Sequence, residues 1–142
     1  MQIRSAQARW EGGIKSGSGI VRFGNGAFEG AYSAGSRFEN EQGTNPEELI
    51  AAAHAGCFSM ALAAILENAG HPPTNIQTQA EVRIEKSREG FSITNILLST
   101  QAIVPEIEAE KFQQLAQTAK TNCPVSKALA GTTIELNAEL QS

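Results

Sequence analysis

The chain has 142 residues, 41% of them apolar and 18% charged, with 15 acidic against 11 basic side chains and a formal net charge of −4. That composition excludes a disordered chain, and the length suits a single domain over residues 1–142 rather than two. No Lys/Arg cluster exceeds two residues, so neither nucleic acid nor an anionic membrane surface is expected as a partner.

The first ten residues carry Arg4 and Arg9 but no apolar segment, which predicts neither a signal peptide nor an anchor. The one long apolar stretch, residues 49–66, is mostly alanine and contains His54, Gly56 and Ser59. A membrane span of that length is normally richer in Leu, Ile and Phe, so a helix buried within the protein is expected and the compartment is read as cytoplasmic. Two cysteines without an export signal are not expected to form a permanent staple, because disulfides in a reducing compartment tend to be transient and catalytic. Cys57 and Cys123 are too far apart in sequence for a CxxC motif. A redox pair and two unrelated buried thiols both remain open at this level.

In chain order, residues 6–10 and 19–23 read as short strands around the turn Glu11-Gly12-Gly13. A third strand over residues 28–33 follows the Gly24-Asn25-Gly26 turn signal. A polar segment is expected over residues 36–44. The strongest helix signal starts at Asn45-Pro46-Glu47-Glu48: Asn45 suits the N-cap, Pro46 the first helical position, and Glu48 the third place of a capping box. Gly70 followed by His71-Pro72-Pro73 should stop this helix after about residue 69. Both of its faces are apolar, so it should be covered on nearly all sides, in part by a second subunit.

Residues 78–86 alternate, with Ala80, Val82 and Ile84 on one face. Ser87-Arg88-Glu89-Gly90 reads as a hairpin turn into a strand over residues 91–104. Pro105 is expected to open a second helix with the stripe Phe112, Leu115, Ala116 and Ala119. Cys123-Pro124 starts a short helix through residue 130, and residues 132–140 form a last alternating strand. The fold class is α+β, with antiparallel strands around a buried helix.

Cys57 falls in the middle of the long helix, where a thiol has no free backbone N–H and desolvation raises its pKa. It reads either as an inert core cysteine or as a thiol activated by a positive side chain from outside its helix. Cys123 is a probable N-cap beside Pro124, with Lys127 nearby, and on local physics it is the easier thiolate. Arg37 is by default a surface arginine, although a guanidinium is the natural partner of a thiolate and of a peroxide oxygen. Glu47 is left free by the capping role of Glu48 and can orient such an arginine. Glu47 and Cys57 stand ten residues apart, roughly 15 Å along a helix at ~1.5 Å per residue. They meet only if the helix packs antiparallel against a two-fold mate. His54 stands one turn before Cys57 but has no evident third member for a triad, and no residue set has metal-ligand spacing.

Two runs resemble a known family. Gly43-Thr44-Asn45-Pro46-Glu47-Glu48-Leu49 with Ala52-Ala53-His54-Ala55-Gly56-Cys57-Phe58-Ser59-Met60-Ala61-Leu62 is similar to the first-cysteine helix of the OsmC/Ohr peroxidases. Cys123-Pro124-Val125-Ser126 is similar to their second-cysteine motif. Trp10-Glu11-Gly12 and Arg37-Phe38-Glu39 resemble the OsmC branch, the osmotically inducible proteins. The resemblance implies a thiol-dependent peroxidase that reduces organic hydroperoxides. Cys57 would be the peroxidatic cysteine and Cys123 the resolving one, with Arg37 and Glu47 as the activating pair. It implies an intertwined homodimer with sheets around long buried central helices, a dithiol or lipoyl-bearing protein as reductant, and no metal or cofactor. On which thiol attacks, resemblance and local physics disagree. An apolar nest around Cys57 would favour bulky organic peroxides, and an exposed Cys123 would be better placed to exchange with a reductant. A redox-sensing or ligand-binding protein using the same thiols is the rival function; a structural dimer with two inert thiols is the third.

Overall fold

The computed structural model describes residues 1–141. They form two compact units, Met1–Leu49 and a second beginning at Ile50.

The first unit is an antiparallel meander of β1 (Ala6–Glu11), β2 (Ser18–Phe23) and β3 (Glu29–Tyr32), in that order across the sheet. Trp10 and Tyr32 lie on its outer strands with ring centroids 5.4 Å apart. They close over Gly19 of the middle strand, where an added Cβ would fall 2.5 Å from the Tyr32 ring. After β3 a helix of little more than one turn forms, α1 (Ala34–Phe38), partly within the polar segment expected there. Ser33 and Ser36 cap it reciprocally, Ser36 N–H donating to Ser33 Oγ and Ser33 N–H to Ser36 Oγ. Five residues are too few to show a periodicity in the sequence.

Helix α2 (Pro46–Asn68) has its first turn in this unit, and its start and stop follow the sequence signals. Asn45 Oδ1 accepts from Glu48 N–H at 2.8 Å. The return bond of the box runs from Asn45 Nδ2 to Glu48 Oε1 rather than from the cap's backbone. At the far end Gly70 takes φ +87°. Its N–H donates to Glu67 O and His71 N–H to Leu66 O, the paired closure that satisfies the last carbonyls of a helix.

In the second unit, β4 (Asn75–Ser87) pairs antiparallel with β5 (Gly90–Ile103) through the turn at Arg88-Glu89. The helices α3 (Ala109–Asn122) and α4 (Pro124–Ala128) then lead to β6 (Thr133–Gln141). β6 runs parallel to β5, not antiparallel, because the helical crossover returns the chain to the end from which β5 began. Pro105 does not open α3. Residues 105–108 turn first, with Glu106 at φ 60°, and the helix starts at Ala109.

The core joins Phe58, Leu62 and Leu66 of α2, Leu98 and Ala102 of β5, and Phe112, Ala116 and Ala119 of α3. Each large side chain buried here contributes about 1.5–3 kcal/mol. On one flank of that stripe Ser59 donates to Thr78 Oγ1, which meets Thr100 Oγ1 at 2.9 Å, so a ladder of hydroxyls ties α2 to β4 and β5. The expected all-round cover of α2 is not present within one chain. Ala52, Ala53, Gly56, Met60 and Ala64 form an exposed stripe, with Met60 77% exposed. By length and a mean hydropathy of 2.0, α2 could also cross a membrane. Its packed stripe of Phe58, Leu62 and Leu66 is instead that of a core helix.

Candidate active site

The structure brings the sequence-predicted residues together as two pairs. In the first unit, α1 carries Arg37 and the first turn of α2 carries Glu47. Ser36 Oγ donates to Thr44 O at 2.7 Å and Asn45 Nδ2 to Ser36 O at 2.9 Å, which tie α1 to the start of α2. So held, the guanidinium meets the carboxylate in a fork: Arg37 Nε donates to Glu47 Oε1 and Nη2 to Oε2, each at 2.9 Å. Glu47 is buried while the Arg37 side chain stays 36% exposed, its guanidinium 5.1 Å from the centroid of the Phe38 ring. The hydrogen bond to Glu47 holds the Arg37 pKa above its ordinary value, against a smaller opposing effect of burial. Planar, bidentate geometry of this kind fixes an arginine's orientation as well as its charge.

In the second unit Cys57 Sγ and Cys123 Sγ lie 2.9 Å apart, both as free thiols. Cys123 ends α3 and caps α4, so the turn between the two helices delivers it to α2. Contrary to expectation it is not exposed: Cys123 is fully buried and Cys57 only partly so. The α4 turn packs against α2 and hides its own cap. On a helical wheel at about 100° per residue, Cys57 falls at the border between the buried and exposed stripes of α2.

Burial pushes the Cys57 thiol up, and its neighbour Cys123 adds to that rise. The amide of Val125 works the other way, reaching Cys57 from α4. At Cys123, burial is the largest single influence and acts upward. Cys57, Ser126 and Val125 together outweigh it in direction, and the thiol lies below its ordinary range, although Cys123 Sγ accepts no capping hydrogen bond and is itself the donor toward Cys57 Sγ. The direction favours Cys123 as the easier thiolate, but through Cys57, Ser126 and Val125 rather than through a capping hydrogen bond or Lys127.

Two further residues belong to this pair that the sequence reading left out or set aside. His54 is fully buried, and its Nε2 lies 2.8 Å from Ser126 Oγ. Burial holds this imidazole below the ordinary histidine pKa, and its Nδ1 is buried with no hydrogen-bond partner among the described residues. The available signal was positional, since each cysteine has a polar residue one helical turn away: His54 before Cys57 and Ser126 after Cys123. Among the described residues no three His, Cys, Asp or Glu side chains cluster as metal ligands would.

A redox-capable thiol pair held between two helices over a three-stranded sheet defines a class of thiol-dependent α+β proteins. The sequence matches the family described as OsmC-like protein over residues 39–137. It is 48% identical to peroxiredoxin OsmC of Escherichia coli (strain K12), covering 98% of this chain and 97% of that one. The organic hydroperoxide resistance protein OhrB of Bacillus subtilis has a crystal structure that superposes with TM-score 0.69 at 26% identity, covering 96% and 98% of the two chains. An OsmC-like protein from Vibrio cholerae superposes with TM-score 0.78 at 17% identity over 97% of this chain and 99% of that one, a likeness of fold alone. The chain belongs to the OsmC-like family.

Proposed function

We propose that the protein is a thiol-dependent peroxidase that reduces organic hydroperoxides to alcohols, with all 142 residues acting as one OsmC-like domain. The observation that carries this is the 2.9 Å separation of two free sulfurs distant in sequence. Similarity to a peroxiredoxin and to organic hydroperoxide resistance proteins supports it.

In this reading Cys57, the more accessible sulfur, attacks the peroxide oxygen as thiolate. The O–O bond breaks, RO⁻ leaves and takes a proton to become ROH, and Cys57 becomes a sulfenic acid. Cys123 attacks that sulfur, the S–O bond breaks, and the disulfide forms. An external dithiol, small or carried on a lipoyl-bearing protein, restores both thiols.

Arg37 is the charge that stabilises the Cys57 thiolate and the departing oxygen, and Glu47 orients it; their bidentate fork supports the assignment. Glu47 and Cys57 are ten residues apart along α2, roughly 15 Å, so the activating pair is proposed to reach Cys57 across a two-fold homodimer. The exposed stripe of small residues on α2, with Cys57 at its border, supports a second copy lying there. A soluble cytoplasmic protein is the proposed setting.

Trapping of the sulfenic acid with dimedone in a single turnover tests the roles. Cys123→Ser should accumulate the adduct with cumene hydroperoxide, and Cys57→Ser should give none. The opposite pattern would exchange the two cysteines; no adduct in either would remove the function.

A further inference from the structure

The His54–Ser126 contact joins two buried polar side chains on different helices, 72 residues apart in sequence and each three residues from a cysteine. Its direction follows from the other ring nitrogen. His54 Nδ1 is buried and unpartnered among the described residues. If Nδ1 carried the proton, a buried N–H donor would be orphaned. If Nε2 carries it, only a lone pair goes unused, which is the more readily tolerated state. Nε2–H then donates to Ser126 Oγ, and the serine's single proton is left to donate onward.

Ser126 stands three residues after Cys123, in the first turn of the helix that Cys123 caps, where a side chain reaches back toward the cap. Its hydroxyl favours the ionised form of Cys123, although in the reduced protein Cys123 Sγ accepts no capping hydrogen bond from its own helix. No charged side chain is among the groups acting on His54 or Cys123. The titratable group facing Cys123 is Cys57 from α2, with Val125 and Ser126 contributing from α4.

We propose that Ser126, oriented by His54, is a positioning residue for the disulfide step in both directions, directing the Cys123 sulfur at Cys57 once Cys57 has been oxidised and receiving it when the disulfide opens. The proposal rests on the reading of Cys57 as the sulfur that peroxide oxidises. In the forward step the Cys123 thiolate attacks the Cys57 sulfenic acid; the S–S bond forms, the S–O bond breaks, and the departing hydroxide takes a proton from solvent to become water. In the return step a thiolate of the reducing dithiol attacks one sulfur of the disulfide and the other leaves as thiolate. Cys57 is the partly exposed sulfur and Cys123 the buried one. A low-pKa thiol also leaves faster. The incoming thiolate therefore bonds to Cys57, and Cys123 departs onto the Ser126 hydroxyl. The second thiol of the reductant then attacks its own sulfur in the mixed disulfide, Cys57 leaves as thiolate, and the reductant departs as a disulfide.

Two measurements test this. In the first, resolution is followed as the competition between disulfide formation and dimedone capture after one equivalent of cumene hydroperoxide, from pH 5 to pH 9. Losing a hydrogen bond to a thiolate should move the midpoint of the resolution profile up by about one pH unit and slow resolution about tenfold at neutral pH. Ser126→Ala and His54→Leu should both show this, and His54→Gln, which keeps a donor near Nε2, should restore part of the rate. In the second, the oxidised protein is opened with a monothiol, 2-mercaptoethanol, quenched in acid and mapped; the adduct should sit on Cys57. An unchanged resolution profile in Ser126→Ala, or an adduct mainly on Cys123, overturns the proposal. Failure of the unsubstituted protein to form any sulfenic acid at Cys57 would instead overturn the peroxidase reading. The His54 tautomer is read separately by ¹⁵N NMR of the folded, reduced protein, where a protonated Nδ1 would also count against the relay.

Discussion

Arg37 and Glu47 meet through two parallel hydrogen bonds of 2.9 Å, with the carboxylate buried and the arginine side chain partly exposed. Such a pair fixes the plane of the arginine, so what it presents to a ligand is a set of oriented donors and not merely a charge. Arg37→Lys should then lower kcat/KM for cumene hydroperoxide on the order of 10²-fold, the usual effect of removing one preorganised donor. Lysine keeps the charge but cannot make the fork. A variant with kcat/KM within twofold of the parent would reduce Arg37 to a surface cation.

The open stripe on α2 predicts the oligomeric state. Gly56 lies on it, and a Cβ there would meet nothing within 4 Å. Gly56→Glu should therefore leave the single chain folded, as judged by circular dichroism, while placing a charge where a second copy would pack. Sedimentation should change from two chains to one, with loss of peroxidase activity. Two-chain sedimentation in the variant would move the interface elsewhere.

His54 should leave a mark on stability against pH. Burial keeps its folded pKa below the ordinary value of about 6.5. As pH falls, the unfolded chain therefore takes up this proton before the folded one does. The stabilising effect of the neutral ring is complete above the ordinary histidine pKa and declines as pH drops through it, until the lower folded value is reached. Denaturant midpoints measured from pH 7 to pH 5 should fall in the parent and fall less in His54→Gln. Equal slopes would assign the loss to another group.

Leu62 is fully buried between Phe58 and Leu66 on the packed stripe of α2. Leu62→Ala should destabilise the chain by about 2–5 kcal/mol in equilibrium denaturation. A value under 1 kcal/mol would mean that this face is less tightly packed than its burial indicates.

Features written in adjacent residues were legible in the sequence. Asn45-Pro46 at the start of α2, Gly70 at its end, the stripe of Phe112, Ala116 and Ala119, and the alternation over residues 78–86, within the longer β4, each need only local geometry. The Arg37–Glu47 pair was reachable for the same reason, being ten residues apart on neighbouring short elements. What escaped depends on docking between distant elements. The parallel course of β6 is decided by how α3 and α4 cross back. The burial of Cys123 is decided by α4 closing on α2. Helix α1 was too short to show a period, and the turn at residues 105–108 delayed α3 beyond the proline that was expected to open it. The cysteine motifs identified the family, and the spacing of His54 and Ser126 from the two cysteines hints at a role for each, but their contact spans 72 positions and the pairing itself is set by docking.

The nearness of the two sulfurs has a mechanical consequence. From 2.9 Å, a covalent S–S distance of about 2.05 Å is less than one ångström away. Side-chain torsion can absorb so short a journey while α2 and α4 keep their backbones. The oxidised and reduced forms then have nearly the same outline, which suits a catalyst that must cycle many times and gives a signalling partner little to recognise.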